Sequence, residues 1–304
     1  MTRKTKVDTS KLASEAQNRA ATKLDTLPAL SIARVINRED RKVAAAVGRA
    51  LPQIARAIDA IADSVGRGGR LIYVGAGSSG RIAALDAAEC PPTFNTSPRT
   101  VQAVIAGGAW ALRSATEGRE DSPALGRRDL ARLKPTKQDV VVGIAASGRT
   151  PYTVAALAYA RRCGATTVAL ASNPGSPLER AADIGIVVRV GPEVLAGSSR
   201  MKAGTAQKMV LNMLSTGAMA RLGYVYGNLM VNVHRKNRKL RERGLSILQQ
   251  AARINRTKAE RALRAAGGSV PVALVMLKAG VTRAAAERRL RSARGNVRKA
   301  IEKG

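Results

Sequence analysis

A stretch of twenty residues, Leu71 to Cys90, constrains the fold of this 304-residue chain more than any other segment. It reads LIYVGAGSSGRIAALDAAEC: an apolar run typical of a buried strand, then a loop of small residues, then a helix predicted from Arg81. Glycines allow close approach to a ligand, and serine hydroxyls beside a helix N-terminus favour an anion, so Ser78 and Ser79 are candidate phosphate ligands. The loop has neither the Lys-Ser/Thr pair of a Walker motif nor the acidic residue of a dinucleotide site. A tight strand–helix turn without a ligand is the alternative.

A second unit of the same kind occurs later in the chain. The run DVVVGI, residues 139–144, predicts a strand, and the loop after it contains Ser147, Gly148 and Thr150. Thr150 is a good helix N-cap and Pro151 a good first helical residue. We therefore add Ser147, Gly148 and Thr150 to the candidate phosphate ligands, Gly148 through its backbone, although Thr150 can also be a cap only.

Strands alternating with helices predict an α/β fold, with a parallel sheet covered by helices on both faces. The ligands of such sheets bind beyond the carboxyl ends of the strands. Helix is also predicted over residues 31–65 with a cap at Asn37, and over residues 81–89 with an end forced by Pro91 and Pro92. Further strands are predicted at residues 101–106, 166–171 and 184–190. The predicted domains are an N-terminal arm with helices (1–55), the α/β domain (56–233) and a basic helical region (234–304) whose last part, 271–304, is a small helical domain.

The net charge of +31 is concentrated in the C-terminal region. Residues 234–304 contain 20 Lys and Arg against 4 acidic residues, which favours non-specific contact with an anionic polymer. A compositional bias toward arginine is the alternative, since aromatic residues are only 2% of the chain. Two cysteines and one histidine exclude a disulfide scaffold and a conventional zinc site. No uncharged run of membrane-spanning length and no leader with a cleavage site is found, so we expect a cytoplasmic protein.

Long motifs across the chain resemble the N-acetylmuramic acid 6-phosphate etherase family of the sugar isomerase (SIS) superfamily. The first is GGRLIYVGAGSSGRIAALDAAECPPTF, residues 68–94, in which Ser78 stands where the family more often has threonine. Others are EGRED, GIAASGRTPY, GPEVLAGSSRMKAGTAQKMVLNMLST and YGNLMVNV, which begin at residues 117, 143, 191 and 226. The resemblance covers nearly the whole chain, and the net charge is its larger departure from the family.

The resemblance implies a lyase that removes D-lactate from the C3 ether of N-acetylmuramic acid 6-phosphate and leaves N-acetylglucosamine 6-phosphate, in peptidoglycan recycling. This chemistry needs two acid/base groups and a phosphate anchor, and it needs no metal and no cofactor. By motif, Glu89 takes the family's proton-donor position and Glu120 its second catalytic position. A homodimer is also implied, in agreement with the apolar helix predicted from Lys202, which suits a core or a subunit interface.

Several candidate residues keep alternatives open. Glu89, at the predicted end of a helix among small apolar residues, is expected to favour its protonated form, and an exposed helix-end glutamate is the alternative. From the residues alone, Glu117 and Asp121 rival Glu120. Further candidates are Glu193 for the sugar ring, Lys202 for the lactate carboxylate, and Arg81 and Arg149 for the phosphate; Cys90 and His234 are expected to be structural.

Two other functions use the same features. An aldose–ketose isomerase needs the same phosphate loops and the same proton at C2, whereas a non-catalytic sugar-phosphate sensor needs the loops but neither glutamate. A lactate assay separates the etherase from both.

Overall fold

The apolar runs of the sequence form one five-stranded sheet in the computed structural model, which describes residues 15–114, 117–232 and 238–302. The strands lie in the order β2-β1-β3-β4-β5, and all four pairings are parallel. The chain passes from β1 to β2 in one direction and then returns to the other side of β1 to form β3. This reversal makes the carboxyl ends of β1 and β3 the topological switch point, where α/β proteins bind their ligands. The strands are β1 (Leu71–Gly75), β2 (Val101–Ile105), β3 (Val140–Ile144), β4 (Thr166–Ala171) and β5 (Ile184–Val187).

Helices cover both faces of the sheet, as predicted. Ile72 and Val74 of β1 pack in one apolar cluster with Leu157, on the helix after β3. Tyr73, between them in sequence, points to the opposite face, where its hydroxyl donates to Asp86 at 2.8 Å. Because both faces are covered, the central strands are continuous apolar runs rather than alternating ones.

The chain divides into two compact units, one of Met1–Ala87 with Thr100–Leu214 and the other of Ala88–Arg99 with Ser215–Gly304. The first contains the sheet with α1 (Ala29–Gly48), α2 (Leu51–Gly66), α4 (Glu117–Glu120), α5 (Pro123–Ala131), α6 (Pro151–Arg162) and α7 (Pro177–Arg180). Three short 3-10 helices, Arg19–Ala21, Leu24–Thr26 and Gly108–Leu112, also belong to it. The helices α3 (Gly77–Phe94) and α8 (Lys202–Leu222) contribute residues to both units.

The second unit contains a small helical bundle. Its helices are α9 (Arg238–Ala252), α10 (Arg256–Ala265), α11 (Val270–Ala279), α12 (Arg283–Ser292) and α13 (Val297–Glu302). The N-terminal residues Asn255, Ser269 and Thr282 each accept a backbone N–H of the helix that follows, and the apolar faces meet in one core. Among the described helices, none taken singly is long and apolar enough to cross a membrane; α10 and α11 pass by length and composition only when taken together, as a pair bent by 110°.

Two predicted helix breaks are wrong. The break in the N-terminal helix falls at Arg49 and Ala50 rather than at Asn37, because the buried face of α1 continues through Val43 and Val47. Pro91 and Pro92 do not end α3, which continues to Phe94. Proline costs a helix the N–H bond to the preceding turn but has a φ that suits a helix, so the chain can remain helical beyond it.

Candidate active site

The two serine-bearing turns emerge side by side at the switch point. β1 and β3 are hydrogen-bonded neighbours, and their last residues, Gly75 and Ile144, are register partners. The turn after β1 leads into α3, and the turn after β3 leads into α6. The structure therefore brings together the two loops that the sequence singled out, at the carboxyl ends of the strands, where a ligand is expected.

Glycines shape the first turn through close packing. A Cβ on Gly75 would lie 2.9 Å from the backbone nitrogen of Gly80, and a Cβ on Gly80 would lie 2.5 Å from the side chain of Ile105. The first turn of α3 thus sits directly on β1 and β2. Ser78 and Ser79 lie in this helical turn, partly exposed, so their hydroxyls and the N-terminus of α3 are open to an anion. The helix begins at Gly77, earlier than the predicted Arg81.

In the second turn, Ser147 and Thr150 are the partly exposed hydroxyls. Ser147 Oγ accepts the backbone N–H of Arg149 at 3.1 Å, which leaves the hydroxyl hydrogen available to a ligand. Thr150 occupies the N-cap position of α6, as predicted, but its side chain makes no capping hydrogen bond. Both hydroxyls therefore keep the capacity to donate to a phosphate oxygen.

The fold itself requires glycine at position 148. Its φ is +67°, and a Cβ there would collide with the side chain of Ser176, which caps α7. Its N–H donates to Ala145 O at 2.9 Å, and its carbonyl accepts from Leu178 N at 3.0 Å. The backbone of Gly148 is thus occupied within the turn.

Glu120 lies at the first turn. An ideal Cβ placed on Gly77 would be 3.9 Å from Oε2 of Glu120. The carboxylate is thus next to the first residue of α3 and one residue from Ser78, although 43 positions separate Gly77 and Glu120 in sequence. Asp121 is exposed, and the side chain of Glu117 lies outside the described part of the chain, so this geometry favours Glu120 over Asp121.

Glu89 belongs to the second unit and lies in the body of α3, five residues before Phe94. Its side chain is exposed. Both premises behind the expected protonated form, a helix end and a desolvated site, are therefore wrong. The catalytic role predicted for Glu89 therefore rests on the motif match.

Glu193 and Lys202 are both buried. Glu193 is 1% exposed, and its two oxygens accept the backbone N–H groups of Lys202 and Ala203, each at 2.9 Å, at the start of α8. Lys202 is also 1% exposed, and its Nζ lies 2.8 Å from Oε2 of Glu39 on α1. Glu39 accepts from Asn18 as well, at 2.9 Å. This cluster, which we call the Glu39–Lys202 lock, joins α1 to α8, and no local sequence pattern signals it.

Glu39 is ionised although it is buried. Burial by itself raises the pKa of this carboxyl, but the hydrogen bonds from Lys202, Lys42 and Asn18 outweigh it and hold the pKa at about 2. Glu39 is therefore a buried carboxylate that remains ionised at neutral pH.

Of three further residues named in the sequence analysis, Arg81 and Cys90 lie in described parts of the chain. Arg81 donates from Nε to Ala111 O at 2.8 Å and from Nη2 to Ser114 O at 3.0 Å, so its guanidinium binds the segment after β2. Cys90 is a buried thiol and not part of a disulfide, as expected of a packing residue. His234 lies outside the described residues.

Two domain families match the chain. Residues 53–161 match the glucokinase regulatory protein N-terminal SIS domain, and residues 128–217 match the SIS domain. Among solved structures, a phosphoheptose isomerase from Francisella tularensis superposes with a TM-score of 0.50, covering 64% of this chain and all of that one at 18% identity. This likeness shows the fold alone.

Two curated relatives are similar over almost the whole chain. The N-acetylmuramic acid 6-phosphate etherase of Aeromonas hydrophila is 54% identical over 90% of this chain and 92% of its own length. The protein of the same name from Edwardsiella ictaluri is 55% identical over 88% of this chain and 89% of its own length. Identity of this extent, together with the SIS-type sheet, shows that the chain belongs to the N-acetylmuramic acid 6-phosphate etherase family.

Proposed function

We propose that this chain is a carbon–oxygen lyase that cleaves the D-lactyl ether of N-acetylmuramic acid 6-phosphate, giving N-acetylglucosamine 6-phosphate and D-lactate in peptidoglycan recycling. The observation that carries the proposal is the 54% identity to a named etherase over 90% of the chain. The geometry agrees with it, because two hydroxyl-bearing turns and one carboxylate meet at the switch point of the sheet.

The two turns bind the phosphate. Ser78 and Ser79 donate from the first turn, and Ser147 and Thr150 donate from the second, while Gly148 gives the second turn its shape. The N-termini of α3 and α6 add positive dipole ends that favour an anion. Anchoring C6 through its phosphate leaves C2 and C3 of the open-chain sugar to the acid/base groups.

The reaction is an elimination followed by an addition. The aldehyde at C1 acidifies the C2 proton, which a base removes. The electron pair then forms the C2–C3 double bond, and the C3–O bond breaks as an acid protonates the departing lactate oxygen. Water adds to C3 of the unsaturated aldehyde, and C2 regains a proton, so that one water is consumed for each lactate released.

We assign the base to Glu120 and the proton donor to Glu89. The N-terminus of α3, which begins at Gly77 beside Glu120, stabilises a negative carboxylate, and this suits a base. Glu89 takes the donor role from its position in the family motif. Glu193 remains a candidate for the sugar ring, although both of its oxygens already accept backbone N–H groups.

We also propose a cytoplasmic location, since a phosphorylated sugar does not cross a lipid bilayer unaided, and a homodimer. Exposed apolar side chains support an interface with a second copy, among them Leu30, Trp110 and Leu195. Light scattering of the full chain should then give twice 31.9 kDa. The monomer mass would contradict the homodimer.

The basic C-terminal region is proposed to contact anionic polymers without sequence specificity. It holds 20 Lys and Arg against four acidic residues, so most of its positive charge has no acidic counterpart within the region. The ion pairs seen among its described residues are those of Glu242 and Glu260 with Arg256, Glu287 with Arg283, and Glu302 with Arg298. Binding of the full chain to labelled DNA should weaken steeply between about 50 and about 200 mM salt. No binding at the lower salt concentration would leave compositional bias as the explanation.

The lyase assignment is tested by mixing the purified full chain with N-acetylmuramic acid 6-phosphate. We expect equal amounts of D-lactate and N-acetylglucosamine 6-phosphate. In ¹⁸O-labelled water the label should enter the sugar hydroxyl at C3 and not the lactate. A ketose product without lactate would assign an isomerase, and binding without turnover would assign a sensor.

Matched variants test the two glutamates. Glu89→Gln and Glu120→Gln should each lower kcat by on the order of 10²- to 10⁴-fold. Asp121→Asn, next to Glu120 and exposed, is the control and should keep its activity. If Asp121→Asn loses activity and Glu120→Gln does not, the base assignment is wrong.

A further inference from the structure

The segment between β2 and α5 carries Glu120, and only some of its positions are held by the sheet. It leaves β2 through Gly107 and Gly108, whose φ angles are +92° and +65°, and forms the short helix Gly108–Leu112. The four-residue helix α4 follows and ends at Glu120. A helix of four residues does not fix its own position, so the placement of Glu120 depends on contacts at either end of the segment.

The downstream end is held by packing. α4 contacts α5 and α6, and α5 begins at a serine cap, where Ser122 Oγ accepts Leu125 N at 3.2 Å. α5 lies so close to α6 that a Cβ on Gly126 would collide with the backbone of Tyr152. The Tyr152 hydroxyl also donates to Asp129 at 3.1 Å.

The upstream end packs against β2, and the side chain of Arg81 bonds it as well. The guanidinium donates to Ala111 O at 2.8 Å and to Ser114 O at 3.0 Å. Ala111 itself is 1% exposed. Arg81 lies one helical turn beyond Ser78 on α3, so the two bonds join the Glu120 segment to the helix that begins at the phosphate turn.

We propose that Arg81 is a positioning residue for the etherase reaction, which clamps the Glu120 segment against α3 so that the carboxylate stays beside Gly77. This inference rests on the proposed function, in which Glu120 is the base. Arginine suits this role better than lysine, because the planar guanidinium holds its N–H donors in a fixed geometry and can bond two carbonyls at once. The two bonds use Nε–H and one Nη2–H of the five guanidinium donors, so they hold the segment whether or not another donor also reaches the phosphate, and kinetics must separate the two roles.

The clamp and a direct phosphate contact give opposite kinetics. If Arg81 is a clamp, Arg81→Ala lowers kcat by on the order of 10- to 100-fold, because a displacement of about 1 Å at a reacting group has that effect, and KM stays within about threefold. Arg81→Lys, which can make one of the two bonds, should recover part of kcat. If Arg81 binds phosphate, KM rises instead, and inorganic phosphate inhibits the variant less than the wild type.

Hydrogen exchange gives a readout that is independent of catalysis. Backbone amides of residues 106–114 should exchange faster in Arg81→Ala than in the wild type, while those of β3 should be unchanged. Arg113→Ala is the matched control, because it removes an exposed arginine from the same segment without removing a clamping bond. It should alter neither kcat nor exchange.

The outcomes separate this inference from the proposed function. Unchanged exchange in residues 106–114, or an unchanged kcat with a raised KM, would overturn the clamp. Absence of lactate release by the wild type would overturn the lyase assignment instead. Faster exchange in Arg81→Ala would then still show that Arg81 holds the segment, but its positioning role in catalysis would fall with the lyase.

Discussion

Replacing Glu39 by glutamine removes the charge from a side chain that is 2% exposed and leaves the buried Lys202 without its counter-ion. The pKa of Glu39 falls from 4.5 to about 2 in the folded chain, which corresponds to about 3 kcal/mol of folding free energy at neutral pH. Breaking a buried ion pair from one side costs about 3–5 kcal/mol in other proteins, so two independent arguments agree. We expect Glu39→Gln to lose about 3 kcal/mol in urea unfolding at pH 7.

The pH dependence gives the sharper test. Because the folded pKa lies below the unfolded one, this contribution is fully present above pH 4.5 and is lost as the pH falls toward 2. The difference between wild type and Glu39→Gln should therefore shrink to less than half its neutral value near pH ~3. Only the group at position 39 distinguishes the two proteins, so other titrations largely cancel in the difference.

Two controls define what would refute this reasoning. Asp40→Asn, the neighbouring acid on α1, should change stability by about 0.5 kcal/mol or less. Glu39→Gln combined with Lys202→Met should regain stability relative to Glu39→Gln alone, because no unpaired charge is then buried. A loss from Glu39→Gln that is under about 1 kcal/mol, or that is the same at pH ~3 and pH 7, would contradict the lock as a stabilising ion pair.

Four other substitutions test the remaining features. Ser78→Ala and Ser147→Ala should each raise KM by about tenfold with kcat within about threefold, since each removes one hydrogen bond to a charged group; unchanged KM in steady-state assays would remove that serine from the phosphate site. Gly148→Ala should destabilise the chain by about 2–3 kcal/mol, because the φ of this position is positive and the added Cβ would collide with the side chain of Ser176. A free energy of unfolding in urea equal to that of the wild type would contradict this. Asp139→Asn should cost about 2–3 kcal/mol, because burial raises the pKa of this carboxyl, while bonds from the Arg70 guanidinium and from the backbone N–H groups of Thr136 and Arg70 lower it further than burial raises it. Because the folded pKa lies below the ordinary value, that stability is fully present above the ordinary aspartate pKa and is lost as the pH falls from there through the lower folded pKa, so a difference that does not shrink in acid would refute the account.

The glycines of the first turn have a structural reason besides the one that the sequence suggested. The sequence suggested that glycines bring the backbone close to a ligand. In the structure, Gly75 and Gly80 are needed because α3 begins directly against β1 and Ile105. The same close packing places Ser78 and Ser79 at the carboxyl end of the strands. Packing and ligand access are thus two consequences of one arrangement.

Local pattern was sufficient for the sheet. Apolar runs bounded by glycine and polar residues predicted all five strands. The central strands β1 and β3 are buried at every position because helices cover both faces, whereas the edge strands β2 and β5 are only partly buried. β4 has the predicted bounds, and β5 ends at Val187 rather than at residue 190. The second turn and the start of α6 at Pro151 were also predictable, since proline and threonine mark a helix start locally.

Helix interiors were less predictable where two local rules competed. The prolines at 91 and 92 argued for a helix end, yet α3 continues to the buried Phe94, and Asn95 N still donates to Pro91 O at 2.9 Å. Glu89 consequently lies inside a helix and is exposed. The break between α1 and α2 was missed because Pro52, in the first turn of α2, was a weaker signal than the asparagine upstream.

By itself the sequence determined the fold class, the two serine turns and the family, because strand burial, turn chemistry and long motifs depend on residues that are adjacent in sequence. Tertiary structure alone decided which side chains meet: Glu120 beside Gly77, Arg81 on the carbonyls of Ala111 and Ser114, and Lys202 on Glu39 across 163 positions. The physical reason is that a hydrogen bond or an ion pair depends on distance in space. The packing of whole helices and strands decides which residues distant in sequence come close, and the residues next to each partner in sequence do not.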